Sequence, residues 1–293
     1  MSTIGKWRRE MLDGRVQSGN GVGRMIIGGK SFDDEKHTYV MGILNVTPDS
    51  FSDGGRHAGR SAALEHAERM LQEGADIVDV GGESTRPGYT EVSEEEEMDR
   101  ILSVVELIKE RLRVPVSVDT YKPRVAEAAI EAGADLINDI WGLQSEGMGR
   151  VIARHNIPCC LMHNRRDPLP EDERLAEYMQ RDMQELLDRA ASAGISRDKI
   201  ILDPGIGFAK STGQNLQILR DENFMLPGGY PVLLGTSRKS VIGNTLGLPV
   251  SERLEGTLVT TVLAVCRGTR FIRVHDVKEN VRAVKMAEAI MQA

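Results

Sequence analysis

Eight times along this chain a short apolar run breaks off into polar residues. Val40-Met41-Gly42-Ile43-Leu44 runs into Asn45, and Ile77-Val78-Asp79-Val80 into Gly81-Gly82-Glu83-Ser84. Val116-Ser117-Val118 stops at Asp119, Leu136-Ile137 at Asn138-Asp139, and Pro158-Cys159-Cys160-Leu161-Met162 at His163. Ile200-Ile201-Leu202 gives way to Asp203, Val232-Leu233-Leu234 to Gly235-Thr236-Ser237-Arg238, and Phe271-Ile272 to Arg273-Val274-His275. Strands of a parallel sheet are covered on both faces and read as unbroken apolar stretches. Eight of them predict an α/β fold closed as a (β/α)8 TIM barrel, whose function sits where the strands end.

Helical patterns fill the intervals. Residues 61–72 place Ala63, Leu64, Ala67, Met70 and Leu71 at helical spacing, and Gly74 follows as a stop. Residues 93–112 open with Ser93 and Glu96 at capping-box spacing, and the acidic run 94–97 is predicted to be a solvated first turn favoured by the helix dipole. Further helices are predicted over 122–132, 148–155, 173–193, 251–267 and 277–292, with a weaker one over 214–220 and another from Ser237 to Leu246. No linker interrupts residues 38–293, so the expected organisation is a single barrel domain, 25–293, behind a loosely ordered N-terminal arm, 1–24. Residues 25–32, with Gly28-Gly29, are expected to form a hairpin with the next segment and close the barrel bottom.

A net charge of −7 argues against nucleic acid as a partner, because phosphate binding wants a basic face. No apolar run approaches the roughly 18 residues that span a bilayer, and residues 1–20 lack the apolar stretch of a signal peptide. The three cysteines are expected to be buried and reduced, as in a cytoplasmic protein.

The chemistry collects at the predicted strand ends. Asp119, Asn138 and Asp203 offer acceptors to a flat heterocycle rich in N–H donors. Arg238, Lys239, Arg273 and His275, with Arg86 on the second loop, suit an anionic ligand, and the mouth beside strands seven and eight often holds phosphate. Loops 45–55 and 81–88 mix Gly, Pro, Ser, Thr and charge, and each is long enough to cover the mouth and exclude water. Asn45 supplies a neutral oxygen suited to Mg²⁺, which takes few protein ligands. Phe51 and Phe208 sit in Gly-rich loops where a ring can pack on a ligand, and His163 fits a structural or a site role equally. No His/Cys spacing suggests zinc, and no Ser/His/Asp set suggests a nucleophile.

Nine ordered motifs carry a family resemblance: MGILNVTPDSFSDGG, GGESTRPG, SVDT, INDI, LMH, ILDPGIGF, GTSRKS, ERLEGT and RVHDV. Over roughly residues 25–293 the chain resembles the dihydropteroate synthases of bacterial folate synthesis. The resemblance implies a homodimeric (β/α)8 barrel that joins 6-hydroxymethyl-7,8-dihydropterin diphosphate to 4-aminobenzoate, releasing diphosphate, with sulfonamides competing for the aminobenzoate position. It also implies residue roles: Asp119, Asn138 and Asp203 read the pterin edge, Lys239 meets its carbonyl side, and Arg273 stacks on the ring. Asn45, Arg273 and His275 hold the diphosphate with Mg²⁺ at Asn45, Thr85 is a ligand position, and Asp53 stabilises a pterin cation. Phe51, Arg86, Pro87, Phe208 and Ser237 line the aminobenzoate side. Ala209-Lys210-Ser211-Thr212 departs from the family's usual Gly-Lys-Thr. Two other readings compete. A methyltetrahydrofolate-corrinoid methyltransferase would share the pterin readers without a diphosphate site, and a non-catalytic pterin-binding paralogue would have lost loop residues that this chain retains.

Overall fold

The computed structural model describes residues 25–46, 55–83 and 91–293. A two-stranded antiparallel hairpin comes first, β1 (Ile26–Ile27) and β2 (Lys30–Ser31). Eight parallel strands follow: β3 (Tyr39–Asn45), β4 (Ile77–Gly81), β5 (Val116–Asp119), β6 (Leu136–Asp139), β7 (Cys159–Met162), β8 (Ile200–Asp203), β9 (Leu233–Leu234) and β10 (Phe271–Val274). Their spatial order is β8-β7-β6-β5-β4-β3-β10-β9, and a parallel bridge between Leu202 and Val232 joins the two ends into a barrel. Nine α-helices among the described residues cover its outside.

Their boundaries follow local chemistry. Helix α1 (Gly55–Glu73) begins six residues before the predicted start at 61. In α2 (Glu94–Arg111) the Ser93 hydroxyl accepts the Glu96 N–H at 3.1 Å, as the capping spacing predicts. The Glu96 carboxylate, however, turns to Arg100. The acidic first turn is also not wholly solvated: Glu97 is buried against Lys122. Helices α3 (Pro123–Glu131), α4 (Met148–His155) and α5 (Leu175–Ser192) lie close to their predicted spans. Helix α6 (Thr212–Met225) is longer than the predicted 214–220: a reciprocal capping box of Ser211 and Gln214 starts it earlier, and it continues to Met225 across a kink at Asp221 (φ −131°, ψ 38°). The seven-residue α7 (Ser240–Leu246) begins three residues later than predicted, since Arg238 adopts φ 59° in the turn before it. Helices α8 (Leu254–Cys266) and α9 (Val277–Gln292) complete the set.

The hairpin closes within residues 25–32, through the Phe32 N–H on the Met25 carbonyl (2.8 Å), rather than pairing with the next segment. Gly28 and Gly29 take φ 57° and 80° at its turn, a region glycine enters without steric cost. Met25, Ile27 and Phe32 then pack with Tyr39, Met41, Ile77, Leu136, Cys160, Ile201, Leu233 and Phe271, so the hairpin does plug the barrel bottom. A larger apolar layer fills the space between strands and helices. Cys159 and Cys160 are buried, whereas Cys266 on α8 is only half-buried, and all three are free thiols.

Because side chains alternate across a strand, residues two apart share a face. Ile77 and Asp79, Leu136 and Asn138, Ile201 and Asp203, Phe271 and Arg273 therefore point into the barrel in pairs, apolar below and polar above. This stacking places the polar residues at the C-terminal mouth.

Candidate active site

Two buried carboxylates grip one guanidinium at this mouth. Arg273 Nε donates to Asp79 Oδ2 at 2.6 Å, and its Nη2 donates to Asp119 Oδ2 at 2.6 Å. A guanidinium has five N–H donors, so three remain for a ligand. Burial lowers the basicity of Arg273, yet Asp79 and Asp119 outweigh it and keep the group charged. Asp119 responds in the opposite sense: burial pushes its carboxyl up to about 7, against the pull of Arg273 and with a further push from Asp79. Asp79 Oδ1, Asp119 Oδ1 and Ser117 Oγ are buried and make no hydrogen bond within the structure. Asp79 and Ser117 are register partners on β4 and β5, so the three form one cluster of unsatisfied polar atoms. Such atoms are costly in a folded protein unless something donates to or accepts from them.

Asn138 lies beside Asp119 in the β5–β6 register and is buried. Asp203 ends β8, where its Oδ1 accepts the Gly205 N–H at 2.7 Å, and burial raises its pKa against the pull of Lys239. Lys239 donates to the Ile206 carbonyl at 2.6 Å and stands 4.9 Å from the centre of the Phe208 ring, a cation–π contact. Burial draws its pKa down to about 8, while Asp203 pulls the other way. Gly235 on the other side leaves room: a Cβ there would come within 3.7 Å of Lys239 Nζ and 3.8 Å of Asp203 Oδ2.

Ser237 and His275 form a second unit. The Ser237 hydroxyl accepts the His275 backbone N–H at 3.1 Å and lies 3.0 Å from its Nδ1. One hydrogen is shared between this hydroxyl and Nδ1, and which atom donates it depends on the imidazole tautomer. Ser237 is thus committed to His275 and does not sit in the first turn of α7 as the sequence suggested. Asn45 ends β3 with an exposed side chain.

Asp119, Asn138, Asp203, Phe208, Ser237, Lys239, Arg273, His275 and Asn45 all lie at the mouth, as predicted from the sequence. Phe51, Asp53, Thr85, Arg86 and Pro87 lie outside the described residues. Arg238 does not join the other cations, because its guanidinium is held by Asp276. His163 leans outward to Asp182 (3.2 Å) and is buried.

Sequence reasoning missed three residues. Asp79 was hidden inside an apolar run, although its position two after inward-facing Ile77 was a usable signal. Lys122, whose sequence context marks only the start of a helix, forms a buried cluster with Glu83 (2.6 Å) and Glu97 (2.8 Å) and also binds the Val92 carbonyl. Lys210 stands in the sequence only within the 209–212 segment that departs from the family pattern.

A closed barrel whose mouth presents carboxylates, a carboxamide and fixed cations defines the class of pterin-binding barrel enzymes, and residues 41–275 match the family described as pterin binding enzyme. The chain belongs to this family, within its dihydropteroate synthase branch of transferases. A dihydropteroate synthase of Clostridium beijerinckii is 53% identical over 92% of this chain and 100% of its own length. A crystal structure of the Clostridium difficile dihydropteroate synthase with pteroic acid is 46% identical, with a TM-score of 0.83, covering 87% of this chain and 97% of that one. The Xanthomonas albilineans dihydropteroate synthase with 4-aminobenzoic acid is 41% identical, with a TM-score of 0.86, covering 92% and 98%.

Proposed function

We propose that this mouth condenses 6-hydroxymethyl-7,8-dihydropterin diphosphate with 4-aminobenzoate to give 7,8-dihydropteroate and diphosphate, a step of folate synthesis. The observation that carries this reading is the row of buried acceptors, Asp119, Asn138 and Asp203, facing Lys239 and Arg273. A pterin edge carries N–H donors for the three acceptors and a carbonyl for Lys239. Donation to Asp119 Oδ1 would satisfy one of the unpartnered atoms. Neither the corrinoid methyltransferase nor the non-catalytic paralogue gains support from the relatives.

In the reaction the exocyclic C–O bond breaks and its electron pair leaves with diphosphate. The remaining N–H groups of Arg273 and the imidazole of His275 stabilise that departing charge. The carbon becomes a cation spread over the electron-rich pterin. The aniline lone pair then forms the new C–N bond, and the nitrogen loses its proton to solvent or diphosphate. Aniline nitrogen is a ready nucleophile, so no general base is needed.

Mg²⁺ fits this mouth. Asn45 offers one exposed neutral oxygen, and among the described residues no group of three His, Cys, Asp or Glu side chains could hold a metal. That donor set matches an ion that completes its shell with waters and phosphate oxygens. When bound, it would neutralise diphosphate charge.

A homodimer is the fitting assembly. Val259 and Val262 on α8, with Met286, Ile290 and Met291 on α9, are large apolar side chains on exposed surface of neighbouring helices. A patch of this kind marks an interface, and a second copy would cover it. Among the described residues no helix is long and apolar enough to cross a membrane. The free thiols suit the reducing cytoplasm. The test is to mix the protein with both substrates and Mg²⁺ and assay for dihydropteroate and diphosphate; stoichiometric formation of both supports the reading, and absence of both refutes it.

A further inference from the structure

Lys210 lies just past the loop that follows β8, and its side chain folds back underneath that loop. Its Nζ lies 3.0 Å from the Gly205 carbonyl, 3.0 Å from the Phe208 carbonyl, 3.4 Å from the His163 carbonyl and 2.8 Å from His163 Nδ1. Four acceptors surround a group with three hydrogens. A neutral amine would turn a lone pair toward one of them, so this cage suits the ammonium. His163 must then carry its proton on Nε2, which faces Asp182 Oδ2, while Arg165 holds the same carboxylate at 2.8 Å. Burial, followed by the nearby Lys210 charge, pulls the imidazole pKa down to about 4, consistent with a neutral acceptor.

The loop held in this way is the one that shapes the pterin end of the site. It presents the Ile206 carbonyl to Lys239 and places Phe208 under the Lys239 ammonium. At its start, Gly205 packs so tightly on β7 that a Cβ would lie 2.0 Å from the His163 carbonyl.

We propose that Lys210 is a positioning residue for pterin recognition: it ties the loop after β8 to His163 at the end of β7 and thereby fixes where Lys239 and Phe208 stand. It touches neither Lys239 nor the substrate, and acts through the backbone of residues 205–208. Asp203, Lys239, Asp182, Arg165 and His163 are the titratable or charged groups that face it. Burial draws Lys210 itself down to about 7, so the cage loosens as pH rises through that value. This inference rests on the synthase reading above.

The experiment compares wild type, Lys210→Met and Lys210→Arg by steady-state kinetics in both substrates and by calorimetric binding of 6-hydroxymethyl-7,8-dihydropterin diphosphate. Methionine keeps the apolar stem and removes the charge, whereas arginine keeps the charge and several donors. The expected result for Lys210→Met is a rise of tenfold or more in KM and Kd for the pterin substrate, with KM for aminobenzoate changed less than twofold. Lys210→Arg should recover part of the loss. In addition, the imidazole titration of His163, followed by NMR, should move upward in Lys210→Met because a neighbouring cation is gone. Pterin affinity within twofold of wild type in both variants would overturn the inference. If Lys210→Met does not fold, Lys210→Arg decides alone: pterin affinity lower than wild type at unchanged aminobenzoate KM supports it, and wild-type values for both overturn it. Failure of the wild type to bind the pterin substrate would instead refute the synthase reading.

Discussion

Arg273 on β10 and Asp119 on β5 meet across the barrel mouth, Nη2 to Oδ2 at 2.6 Å, and the same guanidinium holds Asp79 on β4. One side chain thereby sets the geometry of two carboxylates. Replacing it by Arg273→Met should leave both carboxylates buried without a cation, a change that typically costs about 3–5 kcal/mol. Denaturant unfolding at pH 8 should show that loss, and a smaller one at pH 5, where Asp119 is protonated. Synthesis should be lost at both.

Asp119 also makes pterin binding a proton-linked event. Its folded pKa is raised to about 7, so the unliganded protein holds a proton that the unfolded chain would release above about 4. Stability from this group is therefore lost as pH rises from about 4 to about 7. Pterin N–H donors favour the carboxylate, so binding near pH 6.5 should release a proton. Near pH 8.5 Asp119 is already ionised, and a pterin carbonyl instead favours the ammonium of Lys239, whose pKa is about 8. Calorimetry in buffers of different ionisation enthalpy should show release turning to uptake between these pH values.

The clamp of Lys122 with Glu83 and Glu97 is almost fully buried, at 7%, 2% and 1% side-chain exposure. Lys122→Met should destabilise the fold by about 3–5 kcal/mol by stranding two carboxylates. Adding Glu97→Gln should return part of that loss, which a double-mutant comparison of unfolding free energies would measure.

Gly205 combines φ 68° with the closest approach to β7, so Gly205→Ala combines backbone strain with a steric clash. A loss of roughly 2 kcal/mol or more is expected from strain of this kind, together with weaker pterin binding; unfolding curves and calorimetry report the two separately.

Burying a charge at the exposed apolar patch should separate protomers. The proposed homodimer predicts that wild type sediments as a dimer and that Val259→Asp combined with Ile290→Asp sediments as a monomer at the same concentration; a wild-type monomer would remove the basis for that assembly.

The barrel was legible in the sequence because each strand is a continuous apolar run ended by a polar residue, and the mouth residues from Asn45 to His275 follow directly from where those runs stop. Asp79 escaped because a charge inside a run reads as noise until the two-residue alternation is applied to it. Lys122 and Lys210 escaped for another reason. Glu83 and Glu97 lie 39 and 25 residues from Lys122, and His163 lies 47 residues from Lys210, so no local spacing announces contacts made only by the closed barrel. Helix limits shifted where side chains decide them, as with the Ser211–Gln214 box that sets the start of α6.

The central assignment is that the buried acceptors at the mouth grip the pterin ring. Calorimetric titration of wild type and Asp203→Ala with 6-hydroxymethyl-7,8-dihydropterin diphosphate, without aminobenzoate, tests it most directly. Wild type should bind one equivalent per chain, and Asp203→Ala should bind roughly 100-fold more weakly, as loss of charged hydrogen bonds implies. Equal affinity for the two proteins would contradict the assignment.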